Sequence, residues 1–179
     1  EILNNRQTGK QVSDYTDVSK NAWYYDAAKY VTDKQLMSGE KPYVFGADEA
    51  LTRAEVASAL YNLAGQPKVE LASFTDVPVT HQARTAIAWA AKTGIMKGVG
   101  DNKFEPDRSV SREEIATLLT RQRKLSGEDV SADKAAINEF ADSAKISSWA
   151  VDGVAYCTKS GLVKGNPGKV FAPAGNTTR

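Results

Sequence analysis

The sequence is short of the residues on which most protein chemistry depends. It has one cysteine and one histidine in 179 residues. A lone Cys157 excludes an intrachain disulfide, and with it a disulfide-stapled secreted miniprotein. It aligns with Ala90 in the repeat described below and reads as a small buried residue rather than a reactive thiol. His81 has no second ligand at metal spacing, so it reads as an exposed loop or helix-start residue. There is no Ser/His/Asp set and no phosphate-cradling glycine loop. The chain is therefore not expected to be an enzyme, and no cofactor or metal is expected. An excess of charge is missing too: 23 Lys plus Arg stand against 22 Asp plus Glu. That balance leaves no electrostatic footprint for nucleic acid or an acidic membrane, so any anion recognition must be local. No apolar run approaches the ~20 residues that span a bilayer, so membrane insertion is not expected. Glu1 opens a polar stretch without a signal-peptide pattern, which fits a piece of a longer chain. A cytosolic and a bacterial cell-surface origin both fit these numbers.

What the sequence does have is an internal repeat. Aligning Asp17-Val18 with Asp76-Val77 carries the next forty residues without a gap at an offset of 59. Tyr30 meets Trp89, Leu36-Met37 meets Ile95-Met96, Gly39 meets Gly98, Phe45 meets Phe104 and Arg53 meets Arg112. A third copy follows the second from Trp149 to Arg179 at an offset of 67. Tyr156 meets Trp89, Gly165 meets Gly98, Phe171 meets Phe104 and Arg179 meets Arg112. Asp142 stands one residue out of register, so an insertion lies between it and Trp149. The divisions are residues 1–14, 15–65, 74–125, a linker 126–139, and 140–179.

Each repeat reads as helix, loop, helix, which makes the chain all-α. The first helices are expected over Ala22–Lys34, Ala83–Thr93 and Ser148–Ser160, with apolar stripes such as Trp23, Ala27, Tyr30, Val31 and Trp149, Gly153, Tyr156, Cys157. Trp23, Trp89, Trp149 and Tyr156 read mostly as core. Gly94 and Gly161 stop these helices as left-handed residues; Gln35 takes that place in repeat one and makes a poorer end. The loops contain Gly39, Gly98 and Gly165, which suit positive φ. They also contain Phe45, Phe104 and Phe171, which plug them onto the helices. Asp101–Asp107 superficially suggests a calcium loop, but the ligand spacing is absent and Lys103 sits inside, so it reads as turn chemistry. Asp17, Asp76 and Asp142 read as turn or capping residues. Within the linker, Ser131–Asn138 is expected to form a short helix capped by Ser131.

The second helices open at Thr52-Arg53-Ala54-Glu55 and Ser111-Arg112-Glu113-Glu114, both capping boxes. They are expected to bury Val56, Ala59, Leu60 and Leu63, and Ile115, Leu118 and Leu119. The third copy, Thr178-Arg179, ends the chain. Glu1–Arg6 resembles Thr117–Gln122, so Ile2 and Leu3 are expected to pack where a third such helix belongs, in this chain or in a neighbouring one. The arginine is the odd member of the motif. A cation in the first turn opposes the helix dipole at a cost of about 0.3–1 kcal/mol when exposed. Either an anionic ligand arrives there, or the arginines pair with carboxylates of the same protein.

The order Phe/Tyr-x-Asp-Val, aromatic-rich helix, Gly-(Ile/Leu)-(Met/Val)-x-Gly, Phe-x-Pro and (Thr/Ser)-Arg-x-Glu resembles the S-layer homology module, over Tyr15–Gly65, Phe74–Leu125 and Phe140–Arg179. The resemblance implies three repeats in a pseudo-threefold arrangement around a central helical bundle. It implies an extracellular module of the bacterial cell surface that binds secondary cell-wall polysaccharide, often pyruvylated, in grooves between repeats. Carried over position by position, Arg53, Arg112 and Arg179 would clamp the pyruvate carboxylate. First-turn amides near Ala54–Val56 and Glu113–Ile115 would assist. Ser38-Gly39, Lys97-Gly98 and Lys164-Gly165 would line the grooves, and Trp23 and Trp149 would face a sugar ring. Repeat two has Gln82 in place of that tryptophan. The alternative is an assembly module making protein–protein contacts in a surface layer or surface appendage, with self-association or a neighbouring chain completing repeat three.

Overall fold

The computed structural model describes residues 10–179. Among them are five α-helices: α1 (Tyr25–Asp33), α2 (Arg53–Leu63), α3 (Arg84–Lys92), α4 (Arg112–Leu125) and α5 (Val151–Lys159). Short 3-10 helices cover Val12–Asp14, Lys134–Glu139 and Ser143–Lys145, and no strand forms among the described residues. The fold is all-α, as expected. The packing expected of Ile2 and Leu3 lies outside the described residues.

Helices α2 and α4 begin at their capping boxes. Thr52 Oγ1 accepts the Glu55 N–H at 3.2 Å, and Glu55 accepts the Thr52 N–H at 2.8 Å. Ser111 and Glu114 repeat this at 3.3 and 2.9 Å. Helices α1, α3 and α5 begin one to three residues later than expected. Their N-cap residues, Tyr24, Ala83 and Ala150, make no side-chain cap bond. Without a side-chain acceptor for the first amides, the preceding residues stay in turns. Gly94 and Gly161 end α3 and α5 at φ of 75° and 70°, and Gln35 is held at φ 54° in the corresponding place. A side chain in that conformation costs roughly 1–2 kcal/mol, so the end of α1 is strained where the other two are not. The linker helix is of the 3-10 kind. Its cap is Asp133, whose carboxylate accepts the Ala135 N–H at 2.9 Å, whereas Ser131 donates to Asp129.

The loops are held by one device used three times. The carboxylate of Asp17 accepts the N–H groups of Phe45 and Gly46, Asp76 those of Phe104 and Glu105, and Asp142 those of Phe171 and Ala172. Each bonded phenylalanine is buried against the aromatic two residues before the aspartate: Tyr15–Phe45, Phe74–Phe104 and Phe140–Phe171, with ring centroids 5.2–5.4 Å apart. The same rings explain Gly39, Gly98 and Gly165, none of which has positive φ. A Cβ at Gly39 would overlap the Tyr15 ring and Val44 O, at Gly98 it would lie 2.8 Å from Lys103 O and 3.0 Å from Phe74, and at Gly165 2.9 Å from Phe140. These glycines serve close packing, not the left-handed turn expected of them.

The repeats join in a ring. Val110 donates its N–H to Leu51 O, Thr177 to Val110 O and Leu51 to Thr177 O, at 2.8–2.9 Å. These three residues occupy the same place in each repeat, immediately before the Ser/Thr of the capping box, so the cycle marks a pseudo-threefold axis. Around it α2 packs on α3 and α4 on α5, each second helix covering the first helix of the next repeat. Two large apolar clusters fill these contacts, one around Ala57, Ile87, Ala90 and Phe104, the other around Ala116, Val154, Cys157 and Phe171. The third cluster is small: Val12, Tyr15, Ala28 and Phe45. No helix among the described residues covers α1 in the way that α2 covers α3. Its expected apolar stripe is therefore open, with Trp23 94% and Tyr30 54% exposed. Trp89 and Tyr156 are core as expected, but Trp149 is 55% exposed and Leu63, expected inside, is 47% exposed.

Candidate functional site

The capping-box arginines point away from their own helices and into the loop of the next repeat. Arg53 Nε donates to Phe104 O at 2.8 Å and Nη2 to Lys97 O at 2.7 Å. Arg112 does the same to Phe171 O and Lys164 O, at 2.6 and 2.8 Å. Arg179 closes the cycle, with Nη2 donating to Ser38 O and Nη1 paired with Glu55. Each guanidinium also lies over the loop phenylalanine, 4.5 Å from the ring centroid for Arg53, 5.2 Å for Arg112 and 5.6 Å for Arg179. The cost of a cation in the first turn is thus offset by two charge-assisted hydrogen bonds and a ring contact.

The first-turn amides are not free to help bind an anion. Ala54 donates to Pro106 O, Glu113 to Pro173 O, Val56 to Thr52 O and Ile115 to Ser111 O, while Glu55 and Glu114 donate to the cap hydroxyls. The expected assistance fails because carbonyls of the following repeat's loop take Ala54 and Glu113, and the helix start itself takes the other amides.

One groove gathers candidate residues from all three repeats. Arg53 of repeat one, Lys97 and Gly98 of repeat two and Trp149 of repeat three line it, together with Met96, Val99, Arg108, Glu114, Thr117, Leu118 and Arg121. Its volume is about 190 Å³. Four cationic side chains and one carboxylate surround it. Arg53 is buried; burial pushes its pKa down, and neighbouring Arg108 adds to this. A guanidinium starts so high that Arg53 remains charged at neutral pH. Two of its five N–H groups are used, and Nη1 has no acceptor among the described residues. The remaining donors suffice for a two-pronged bond to a carboxylate.

Burial works against ionisation of Glu114, but the Arg108 guanidinium and the Ser111 N–H hold its pKa below the ordinary carboxylate value. Arg108 grips it through Nη1 at 3.1 Å and Nη2 at 2.6 Å, and its Nε donates to Glu105 at 2.9 Å. Arg108 and Arg121 are groove residues that motif reading passes over. A trace of Arg121 exists at the repeat offset: Arg121 donates to Ile95 O, and Asn62, its counterpart, donates to Leu36 O.

The other candidates are not brought together in this way. Gly165 lines a second hollow of about 180 Å³ with Glu139, Phe140, Asn166 and Lys169. Lys164 and Ser38 meet arginines through their carbonyls, and Gly39 donates its N–H to the Tyr15 hydroxyl at 2.8 Å. Trp23 stands apart, with Tyr24 as its ring neighbour at 5.7 Å. In the groove of Arg179, the counterpart of Trp149 is Gln82, and the arginine is neutralised by Glu55.

These repeats match a known family. The S-layer homology domain profile matches residues 14–57, 73–116 and 139–179. Relatives include the amylopullulanase of Thermoanaerobacterium thermosulfurigenes, 30% identical over 92% of this chain and 9% of its own length. The surface-layer 125 kDa protein of Lysinibacillus sphaericus is 26% identical over 87% of this chain and 13% of its own. The cellulosome-anchoring protein of Acetivibrio thermocellus is 30% identical over 79% of this chain and 31% of its own. The chain thus spans less than a third of each of these relatives, and where a relative carries an enzyme's name the match covers only a small part of it. Three tandem matches over most of the sequence settle the family: the chain belongs to the S-layer homology domains, and its place is the bacterial cell surface.

Proposed function

We propose that the chain anchors a larger surface protein non-covalently to the cell wall by binding a carboxylate-bearing sugar, such as a pyruvylated residue of secondary cell-wall polysaccharide, in the groove of Arg53. The observation that carries this reading is the meeting of a buried, incompletely hydrogen-bonded arginine with a half-exposed tryptophan across a cationic groove built from three repeats. The carboxylate bonds the free edge of Arg53, with Lys97 and Arg121 supplying attraction around it. The Trp149 ring packs against the apolar face of the pyranose. A groove of this size admits one sugar residue of a polymer rather than enclosing a ligand. Anchoring to the surface is the role that the family and the names of two relatives support; the pyruvate carboxylate is the chemistry that the groove supports.

The test is co-sedimentation with purified wall polysaccharide before and after acid removal of its ketals. Binding should fall at least tenfold on removal, and by a similar factor in Trp149→Ala with intact polysaccharide. Equal binding to both polysaccharides would reject the carboxylate. A second reading, assembly between copies, is favoured by the open face of α1 around Trp23 and Tyr30. Light scattering over a concentration series separates the two, because assembly raises the apparent mass and anchoring leaves it constant.

A further inference from the structure

The surroundings of Arg53, Arg112 and Arg179 differ at several register positions, and one of these lies beside each arginine. Glu49, Arg108 and Gly175 stand at the same place in the three repeats, related by the offsets of 59 and 67. Each lies shortly before a capping box, beside the point where an arginine of the preceding repeat enters. In the groove of Arg179 this position is Glu49, and Glu55 turns directly onto Arg179, whose side chain is 4% exposed. In the groove of Arg53 it is Arg108, and the equivalent carboxylate, Glu114, is turned onto Arg108 instead. Arg53 donates only to backbone carbonyls. We infer that Arg108 is a positioning residue for anion binding: by holding Glu114 it keeps Arg53 unpaired, and so makes the groove of Arg53, rather than that of Arg179, the one open to an acidic sugar. The inference rests on the anionic-sugar reading of this groove and deepens it.

The physical argument is one of competition. A carboxylate beside two guanidinium groups bonds the one offering two parallel N–H groups in line with it. Arg108 offers that fork at 2.6 and 3.1 Å. Glu105, Asp76 and Glu114 act on Arg53 only through space, without touching it. Remove Arg108, and Glu114 is left beside Arg53 in the relation that Glu55 has with Arg179. A ligand carboxylate must then displace an internal one.

The test uses the whole chain and two variants, Arg108→Gln and Arg108→Gln with Glu114→Gln, both checked for unchanged melting. Glutamine at 114 keeps the capping box. The probe is the methyl glycoside of 4,6-O-pyruvylated N-acetylmannosamine, titrated by calorimetry. In parallel, the Arg53 guanidinium signals are read by NMR without any sugar. The single variant should bind at least tenfold more weakly and should show slowed rotation of the Arg53 guanidinium, the mark of a new pair with Glu114. The double variant should recover to within about threefold of wild type and lose that slowing. If Arg53 is unchanged in the single variant, or if the double variant binds no better than the single, the inference is overturned. If the wild-type chain does not bind the probe, the sugar reading fails, while the Arg53 signals still decide what Arg108 does to Glu114.

Discussion

At the scale of single residues, Arg53 takes a place that neither reading of the helix-start arginine anticipates: it pairs with backbone carbonyls rather than with a carboxylate. Arg53 is an internal staple through Nε and Nη2 and an open donor through Nη1. The backbone carbonyls are not legible from the motif, because the loop that supplies them is 44–51 residues away. The loop aspartates are simpler. Burial opposes ionisation of Asp17, Asp76 and Asp142, but the backbone N–H groups they accept outweigh it and hold each pKa below the ordinary 3.8. A carboxyl group depressed in the folded state stabilises above its unfolded pKa, and that stability is lost as pH falls through the folded value. Melting temperature should therefore be flat from neutral pH to about pH 5 and should drop below about pH 4. Replacing Asp76 with Asn should lower the neutral-pH melting temperature and shrink the acid drop, read by circular dichroism across the series. The turn role of these aspartates was legible in the sequence, since they recur before each first helix. The role of Gly39, Gly98 and Gly165 was not, because a Cβ there is excluded by rings from a different part of each repeat and, at Gly39 and Gly98, by the returning carbonyls of Val44 and Lys103.

At the scale of helices, local signals were read more reliably than faces. The capping boxes opened α2 and α4 where the motif put them, because the bonds involved join residues three apart. Burial was harder to read, since it depends on which helix arrives from the neighbouring repeat. Ala57 and Ala116 are fully buried, whereas Leu63, at the end of α2, faces outward. Helices α4 and α5 pack closely at Gly153. A Cβ on Gly153 would lie 2.8 Å from Thr117 Cα and 3.1 Å from Thr117 N, backbone that cannot swing aside. Glu113 fixes the same junction by accepting the Ser147 N–H and hydroxyl at 2.8 and 2.9 Å. Gly153→Val should destabilise the protein by about 1–3 kcal/mol, the usual range for overpacking a close contact. Urea unfolding measures it. A change below half a kilocalorie would mean that α4 and α5 do not pack this tightly.

At the scale of the whole molecule, the ring is the organising feature and the groove its product. Leu51, Val110 and Thr177 close a cycle of backbone hydrogen bonds, and each arginine crosses to the next loop in the same sense. This brings residues of three separate repeats to one hollow. Three repeats and an all-α fold were legible from the offsets and motifs. What the repeat alignment could not show is that the grooves are unequal, since that follows from which repeat faces which. Ending the chain at Gly175 removes two of the three ring bonds and the ion pair of Arg179. At roughly 0.5–1.5 kcal/mol per hydrogen bond, this should cost about 3 kcal/mol, far more than trimming an unengaged tail. A melting temperature unchanged by the truncation would deny the ring its role.

The central claim is that the groove of Arg53 is where an acidic sugar binds. The most direct measurement is NMR shift mapping of the labelled chain during titration with the pyruvylated N-acetylmannosamine glycoside. Saturable shifts at the Trp149 indole, the Lys97–Val99 amides and the Arg53 side chain, with Arg179 and Gln82 unmoved, are the predicted result. Shifts centred on another groove, or none at concentrations where the wall polysaccharide binds, would contradict it.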